Sequence, residues 1–475
     1  MSFLGKFTPQ NFRKGILIFE KLLILLSAMA AYLGMIALCY PAMMENLSTV
    51  LILAFVYLAI FVLLFNSYGC QQVGVLRLKE LLFSFALTTV LADILSYFIL
   101  VLASGGMLVV WPFFALLGVQ LAVGMLLYIV ANKTYFSLNP AYDTVVICAN
   151  SKWEAEIIAK FRRIPERYNI SQVLYEQAEE AEMFFAIDHH DTVILGDIAQ
   201  EKREKILNYC FEKNRRLYLL PTVQDIMLNN ASVTQIGDTM ALLCKNRPVS
   251  MEQLAIKRLA DVFISVVALT VLSPVLAIVA LLIKLYDGGP VMFRQKRYTR
   301  NNEVFTLIKF RSMIVDAEKY AGAVLASEDD PRITKVGKVI RAARLDELPQ
   351  LIKILKGDMS IVGPRPERKC LAEEISKEIP EFCYRLKVRG GLTGYAQIYG
   401  KYNTSAYDKL RLDMMYIENY SPLLDIRLII LTLRIIFSKD STEGIDVAME
   451  NQRRADALWH ELDEQNEEKE KGSAE

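Results

Sequence analysis

Apolar residues crowd the first third of the chain into four long stretches, at 15–40, 47–66, 80–103 and 107–131. Each is long enough to cross about 30 Å of hydrocarbon as a helix. The first is too long for a removed signal segment and lacks the small-residue cleavage site of one. Lys6, Arg13 and Lys14 precede it, Arg77 and Lys79 lie between the second and third stretches, and Lys133 follows the fourth. The links at 41–46 and 104–106 carry no Lys or Arg, which puts both ends of this module in the cytoplasm.

A fifth run, "ADVFISVVALTVLSPVLAIVALLIKL" at 260–285, is patterned differently. Lys257 and Arg258 stand before it, and Lys284, Arg294, Lys296, Arg297 and Arg300 follow. Cations on both sides argue against a crossing. Near the middle, Ser273-Pro274 interrupts a helix, because proline removes one backbone bond and crowds another. The pattern predicts a helix–break–helix over 257–286 that dips into the inner leaflet and returns, the serine hydroxyl serving a carbonyl that the proline frees. At 421–437, "SPLLDIRLIILTLRIIF" carries Arg427 and Arg434 seven residues apart on one face and predicts a helix lying in the membrane interface.

Between these patterns the alternation changes. "DTVVICAN", "DTVILGD" and "RRLYLLP" read as strands, with helices over 152–163 and 199–213, so a small parallel, Rossmann-like α/β domain is expected. Its first strand-to-helix turn, Cys148-Ala149-Asn150-Ser151, is not a glycine-rich phosphate loop, which favours a structural, regulatory or oligomerisation role. His189-His190 reads as a turn rather than a metal site. The expected domains are a four-helix transmembrane module at 1–140, the α/β domain at 141–248, an α/β monotopic catalytic domain at 249–440 and a charged tail at 441–475.

Composition agrees with a membrane protein: 53% of 475 residues are hydrophobic and mean hydropathy is +0.27. With 54 basic and 53 acidic residues, total charge suggests no nucleic-acid partner. The seven cysteines show no paired spacing and read as reduced, buried residues. None of the three histidines lies between 250 and 450, so chemistry there does not rest on imidazole.

The candidate chemistry sits in "IRAARLDELPQLIK", residues 340–353. Leu348, Leu351, Ile352 and Leu355 mark one helix face, which puts Asp346 at the N-cap and Glu347 in the first turn. Plain capping would account for two acids there. It does not account for the cations around them. Lys309 and Arg311 fall on one face of the strand "EVFTLIKFRSM"; Asp330, Arg332, Lys335, Lys338, Arg341 and Arg344 lead into the pair; Arg365 is fixed between Pro364 and Pro366. Such surroundings favour the ionised acid, and an ionised aspartate is a competent nucleophile at phosphorus. Cations and a magnesium ion would neutralise the charge that builds in phosphoryl transfer. Beside a membrane-dipping helix, one substrate is expected to be a phosphate and the other a lipid.

From about 251 to 437 the chain resembles the bacterial polyprenyl-phosphate phosphoglycosyl transferases of the monotopic type, and with its four spans and α/β domain it resembles their large members. The matching stretches are "KRLADVFIS", Ser273-Pro274, "DGGPVMFRQKR", "TLIKFRSM", "DPRITKVGKVIRAARLDELPQL", "LKGDMSIVGPRPE" and "GLTGYAQIYGKY". Where many members carry proline before "GLTG", this chain has Gly390-Gly391, which is expected to loosen that loop and to leave the acidic pair intact. The resemblance implies that Asp346 attacks the sugar-bearing phosphate of a UDP-sugar, that UMP leaves, and that undecaprenyl phosphate takes the phosphosugar. It implies that Glu347 assists, that Mg2+ is held by Asp346 and Glu347, and that Lys309, Arg311, Arg332, Arg341 and Arg365 bind substrate. It places the protein in the bacterial inner membrane among membrane lipids, catalytic domain on the cytoplasmic face, with a homodimer among the assemblies open to it. Glucose and galactose are the sugars it suggests, and capsule or exopolysaccharide the product. Two other classes compete. A transporter or sensor would place ionisable residues inside its spans, where Asp93 is the obvious one. A metal-dependent glycosyltransferase releasing UDP would carry an Asp-x-Asp motif, and none occurs.

Overall fold

The computed structural model describes residues 9–150, 154, 157, 158, 161, 165–244, 249–315, 330, 332–400 and 404–436. The chain divides into two compact units, Met1–Leu220 and Pro221–Glu475. In the first, α1 (Pro9–Cys39), α2 (Leu47–Ser67), α3 (Leu78–Ser104) and α4 (Trp111–Leu138) are long and apolar enough to cross a membrane. They meet through a polar centre. Tyr57 stacks on Tyr32 with ring centroids 4.0 Å apart, and Gln120 donates to the Tyr57 hydroxyl at 2.7 Å and to the Ala28 carbonyl at 3.2 Å. Asp93 is buried and accepts from Tyr57 at 3.5 Å, so this ionisable group faces the other helices instead of lipid.

A four-stranded parallel sheet follows in the order β2–β1–β3–β4, built from β1 (Tyr142–Cys148), β2 (Tyr168–Tyr175), β3 (Thr192–Leu195) and β4 (Arg216–Leu219). Residues 145–148 of β1 and 193–195 of β3 are unbroken apolar runs because central parallel strands are covered on both faces. Val145, Ile147, Val193 and Leu195 pack under α5 (Glu180–His189) and α6 (Gln200–Glu212), while Val146, Cys148 and Ile194 pack on the other side. Periodicity overlooks β2, whose Asn169, Ser171 and Gln172 break its apolar run, and with it α5. Most of the helix expected over 152–163 lies outside the described residues. His189 and His190 end a helix, correcting the expected turn. Each ring Nδ1 reaches the carbonyl four residues back, at 2.8 Å from Phe185 and 2.6 Å from Ala186. None of the seven cysteines forms a disulfide, but Cys244, Cys370 and Cys383 are exposed, so the expectation of buried thiols holds only for part of the set.

The second unit opens with α7 (Val223–Asn229) and an antiparallel hairpin of β5 (Ser232–Ile236) and β6 (Thr239–Leu243). Then comes α8 (Met251–Asp287), a fifth helix apolar and long enough to cross a membrane. Ser250 and Gln253 cap its start reciprocally, and Gly288, at φ +70°, ends it. No loop separates two helices at the expected break: helical structure runs through Pro274. Ser273 Oγ donates to the Thr270 carbonyl at 2.8 Å, the oxygen that Pro274 leaves without an amide, so the lost bond is replaced and the helix persists. Burial in α8 is confined to its flanks, at Asp261, Ser265, Val279 and Ile283; Val266, Val267, Val271 and Val275 are exposed.

The hairpin β7 (Met292–Tyr298) with β8 (Val304–Phe310) leads to α9 (Lys335–Ala342) and α10 (Gln350–Lys356). β9 (Ser360–Val362) pairs in parallel with β10 (Gly391–Thr393), with α11 (Lys369–Glu378) between them. α12 (Tyr395–Tyr399), α13 (Ala406–Glu418) and α14 (Pro422–Ile436) complete the described chain. On α14, Leu428 and Leu431 are buried while Leu423, Ile426 and Arg427 are exposed. The tail at 441–475 lies outside the described residues.

Candidate active site

Asp346 and Glu347 lie in one 3-10 turn, Leu345–Glu347, which runs through Leu348 and Pro349 into α10. The expected N-cap role of Asp346 is therefore corrected; no side chain caps this turn or α10. The chain instead reverses at Arg344, whose φ of +53° is left-handed. That conformation costs a non-glycine residue roughly 1–2 kcal/mol. Burial gives the compensating gain: Leu345 packs against the cluster of Val279, Ile283, Phe310 and Ile340, which ties α8, β8 and α9 beneath the acids. The far end of α10 is held as well. Gly357 ends it at φ +92°, and Arg258 of α8 donates to the Ile354 and Leu355 carbonyls, both at 2.6 Å.

Two cations converge on one oxygen. Phe310 turns into the core, so its neighbour Lys309 faces the acids, and Lys309 Nζ lies 2.7 Å from Glu347 Oε1. Arg365 Nη2 lies 3.1 Å from the same atom. The loop carrying Arg365 is pinned by backbone bonds from Gly363 to the Thr393 carbonyl (2.8 Å) and from Gly391 to the Pro364 carbonyl (2.9 Å). A Cβ on Gly390 would sit 2.5 Å from Pro366 Cγ, so glycine is close-packed here and the expected loosening is corrected. Asp261 of α8 accepts from the Ile361 amide at 3.0 Å, and Arg385 donates to the Arg365 carbonyl at 2.9 Å. Arg385 is itself paired with buried Asp413 at 2.7 Å, whose carboxyl burial pushes up to about 6 despite that partner.

The paired acids differ in charge environment. Burial would raise Glu347, but Lys309 and Arg365 outweigh it and hold the carboxyl well below the usual range. At Asp346 burial wins: it raises the carboxyl, Glu347 adds to the rise, and Lys309, Arg341 and Arg365 oppose it. The expectation that cations favour the ionised form at both acids is thus met at Glu347 and corrected at Asp346. Among the described residues no donor holds the Asp346 carboxylate.

The remaining predicted cations divide. The Arg341 charge acts on both Asp346 and Asp330. Arg332 Nε and Nη2 grip the two Asp330 oxygens at 2.5 to 3.1 Å, and these bonds hold Asp330 below its ordinary range. Arg311 pairs with Asp287 instead, in the space left by Gly289, where a Cβ would lie 2.2 Å from Arg311 Nη1. The basic stripe expected from Lys309 and Arg311 does not form, because Arg311 falls one residue beyond β8 and turns to the end of α8. Ser273 and Pro274 lie in α8 and take no part in the cluster. Sequence reasoning missed Asp261, Arg385 and Asp413, and it named Arg258 and Arg344 only as cations, without the contact of the one or the turn at the other. Asp261 had a signal, being a charge at the mouth of an apolar run.

Among the described residues no group of three or more His, Cys, Asp or Glu could hold a metal ion. Magnesium usually takes only one or two carboxylates when substrate phosphates supply further oxygens. Asp346 and Glu347 Oε2 meet that requirement, since the two cations share Oε1.

Residues 252–439 match the family described as bacterial sugar transferase. The UDP-N-acetylgalactosamine-undecaprenyl-phosphate N-acetylgalactosaminephosphotransferase of Aeromonas hydrophila is 44% identical over 186 residues, 38% of this chain and 44% of that protein. The undecaprenyl-phosphate glucose phosphotransferase of Komagataeibacter xylinus is 38% identical over 266 residues, 54% of this chain and 50% of that protein. The exopolysaccharide production protein PSS of Rhizobium leguminosarum bv. phaseoli is 40% identical over 187 residues, 37% of this chain and 92% of that protein. The chain thus spans about half the length of the first two relatives and nearly all of the third.

Proposed function

The chain belongs to the bacterial sugar transferase family, and we propose that it transfers a hexose 1-phosphate from a UDP-sugar to undecaprenyl phosphate, releasing UMP. One observation carries this reading: Lys309 and Arg365 share Glu347 Oε1, which leaves the adjacent Asp346 carboxylate outside the ion pair and available to attack. Asp346 forms a bond to the sugar-bearing phosphorus, and the bond from that phosphorus to the bridging oxygen breaks, so UMP carries the oxygen away. The raised Asp346 carboxyl is the more basic and hence stronger nucleophile once ionised. An oxygen of undecaprenyl phosphate then attacks the same phosphorus and returns Asp346 to its carboxylate. Lys309, Arg341 and Arg365 stand where charge accumulates on the phosphates, and Glu347 orients two of them. Magnesium, held by Asp346 and Glu347, supplies further charge neutralisation when bound.

The membrane arrangement follows α8. Near its start, Arg258 and Asp261 bind α10 and β9; near its end, Val279 and Ile283 pack with Phe310 and Ile340. A straight crossing would rise about 27 Å between residues 261 and 279 and carry the two sets of contacts to opposite membrane faces. Both sets belong to one compact unit, while the apolar middle is bare. This favours α8 as a re-entrant element, with the catalytic domain on the cytoplasmic face of the inner membrane, the four N-terminal helices as the spanning module and the Rossmann-like sheet as an accessory domain. Cysteine labelling at positions 250 and 300 tests the topology: external labelling of position 300 alone would overturn it.

Turnover of a UDP-sugar panel, with glucose, galactose and N-acetylgalactosamine, in membranes supplied with undecaprenyl phosphate tests the activity. UMP release supports phosphosugar transfer; UDP release sinks it in favour of simple sugar transfer.

A further inference from the structure

A cavity of about 300 Å³ lies beside the Pro364-Arg365-Pro366 loop. Neither Asp346 nor Glu347 lines it, but Arg365 does, and Arg365 is also the residue that reaches Glu347. Pro366, Ala372 and Phe382 make its wall mainly apolar, and exposed Asn302 stands at its rim. This volume is at the small end of ligand sites, which run to about 1,000 Å³, so it suits a compact group better than a polyprenyl chain. Phe382 is 3% exposed, with Arg385 over its ring 4.7 Å from the centroid, so it closes the inner wall of the cavity and gives it a fixed floor. An asparagine amide places a donor and an acceptor side by side, the complement of a pyrimidine imide.

We infer that this cavity takes the nucleoside half of the nucleoside diphosphate sugar, whose pyrophosphate lies along Arg365 toward Asp346. The inference rests on the proposed donor class and deepens it. Arg365 then has two roles set by its position: one end of the guanidinium is fixed by Glu347, and phosphates bound to it direct the base and ribose into the cavity. The departing UMP leaves from the cavity side while the phosphosugar stays at the acids. Asn302 is the base-reading residue, and Ala372, small and 9% exposed, keeps the space open.

The unmodified full-length protein in detergent gives the test. Cys383 is exposed and lines the cavity, whereas Cys244 and Cys370 are exposed elsewhere. UMP is expected to slow maleimide labelling of Cys383 at least five-fold and to leave Cys244 and Cys370 unchanged. No protection at UMP concentrations that stop turnover, equal protection by inorganic phosphate, or protection by undecaprenyl phosphate alone would each overturn the inference. Ala372→Trp is expected to raise the KM for UDP-sugar at least ten-fold with the KM for undecaprenyl phosphate unchanged. Ala372→Val gives a smaller rise of the same kind should the larger residue prevent folding, and an unchanged donor KM in a folded variant contradicts the assignment. Asn302→Ala is expected to narrow the preference for UMP over other nucleoside monophosphates as protectants of Cys383. The protection assay needs no turnover, so a protein that releases UDP defeats the proposed function while leaving the cavity's occupant separately decided.

Discussion

Parallel strands end in two places in this chain, and the two ends differ in what meets them. In the four-stranded sheet, the chain beyond β2 folds back on the strand ends: the Glu176 amide donates to the Cys148 carbonyl at 3.0 Å, and the Glu176 carboxylate accepts from the Ala199 amide at 2.9 Å, at the start of α6. Lys202 donates to the Glu176 and Ala178 carbonyls. A helix N-terminus that would attract a phosphate is already given a carboxylate. Beyond β9, by contrast, two prolines hold Arg365 outward toward a buried acid, beside an open cavity. Strand ends are the usual place for a site in such sheets, yet here the same local topology serves two purposes. The residues placed at the strand end decide which.

The strongest way to break this contrast is Asp346→Asn, which keeps the shape and removes the charge of the proposed nucleophile. Turnover should fall roughly 10⁴-fold or more, the scale on which loss of a covalent nucleophile is felt. With sugar-labelled donor and no lipid acceptor, label should map to Asp346 in the parent protein and vanish in the variant. A parent protein that is never labelled, yet releases UMP when lipid phosphate is added, would falsify covalent catalysis.

Next in size are the two cations on Glu347. Lys309→Ala and Arg365→Ala should each remove about 2–4 kcal/mol of transition-state stabilisation, read as kcat/KM. Arg311→Ala should behave otherwise. Its guanidinium is buried but its partner Asp287 is exposed, so losing the pair should cost less than the roughly 3–5 kcal/mol of a fully buried one. A lowered unfolding temperature with kcat/KM per folded molecule within about five-fold of the parent is the expected result; a loss of activity without a loss of stability would return Arg311 to the substrate.

That division shows what the sequence could and could not convey. The spans were legible because a run of some twenty apolar residues is too long to be buried in an ordinary water-soluble core and matches the thickness of a bilayer. The acid pair and Arg365 were legible because cations, prolines and carboxylates were packed into short motifs. The partner of Arg311 was not, since alternation along β8 says nothing once the strand has ended. Nor was the turn at Arg344, where an arginine adopts a conformation that its sequence context does not favour. The continuity of α8 was half visible: the serine that repairs the proline stands beside it in the sequence, but nothing local says that the repair suffices. Arg385 and Asp413 meet only through tertiary packing, 28 residues apart, and no local pattern pairs them.

A subtler change separates the two acids from one another. Asp346 is raised by burial and by Glu347, against three cations. Glu347→Gln removes the neighbouring anion and releases Lys309 and Arg365 to act on Asp346, so the Asp346 carboxyl should become more acidic. The acid limb of adduct formation should therefore move to lower pH, even as the second half-reaction slows. Stability should respond in the opposite sense to acid: Glu347 is depressed in the folded state, so its contribution is complete above its unfolded value and is lost as pH falls through the folded one. The Gln variant should lack that loss. An acid limb that stays put or rises would mean that Asp346 does not set it.

The smallest effect is expected at the closed strand end. Lys202 is half-buried and donates to two carbonyls, at Glu176 and Ala178. Lys202→Ala leaves those oxygens to water, and the cost should be that of ordinary hydrogen bonds, about 0.5–1.5 kcal/mol each at most. Because Glu176 still caps the start of α6, the strand ends stay covered and phosphosugar transfer should remain within two-fold of the parent. Thermal unfolding and UMP release measured on one preparation give both numbers. The comparison fails if transfer drops ten-fold while unfolding is unchanged, for then the first sheet's closed end would be working in the reaction after all, through a ligand or a contact that Lys202 serves.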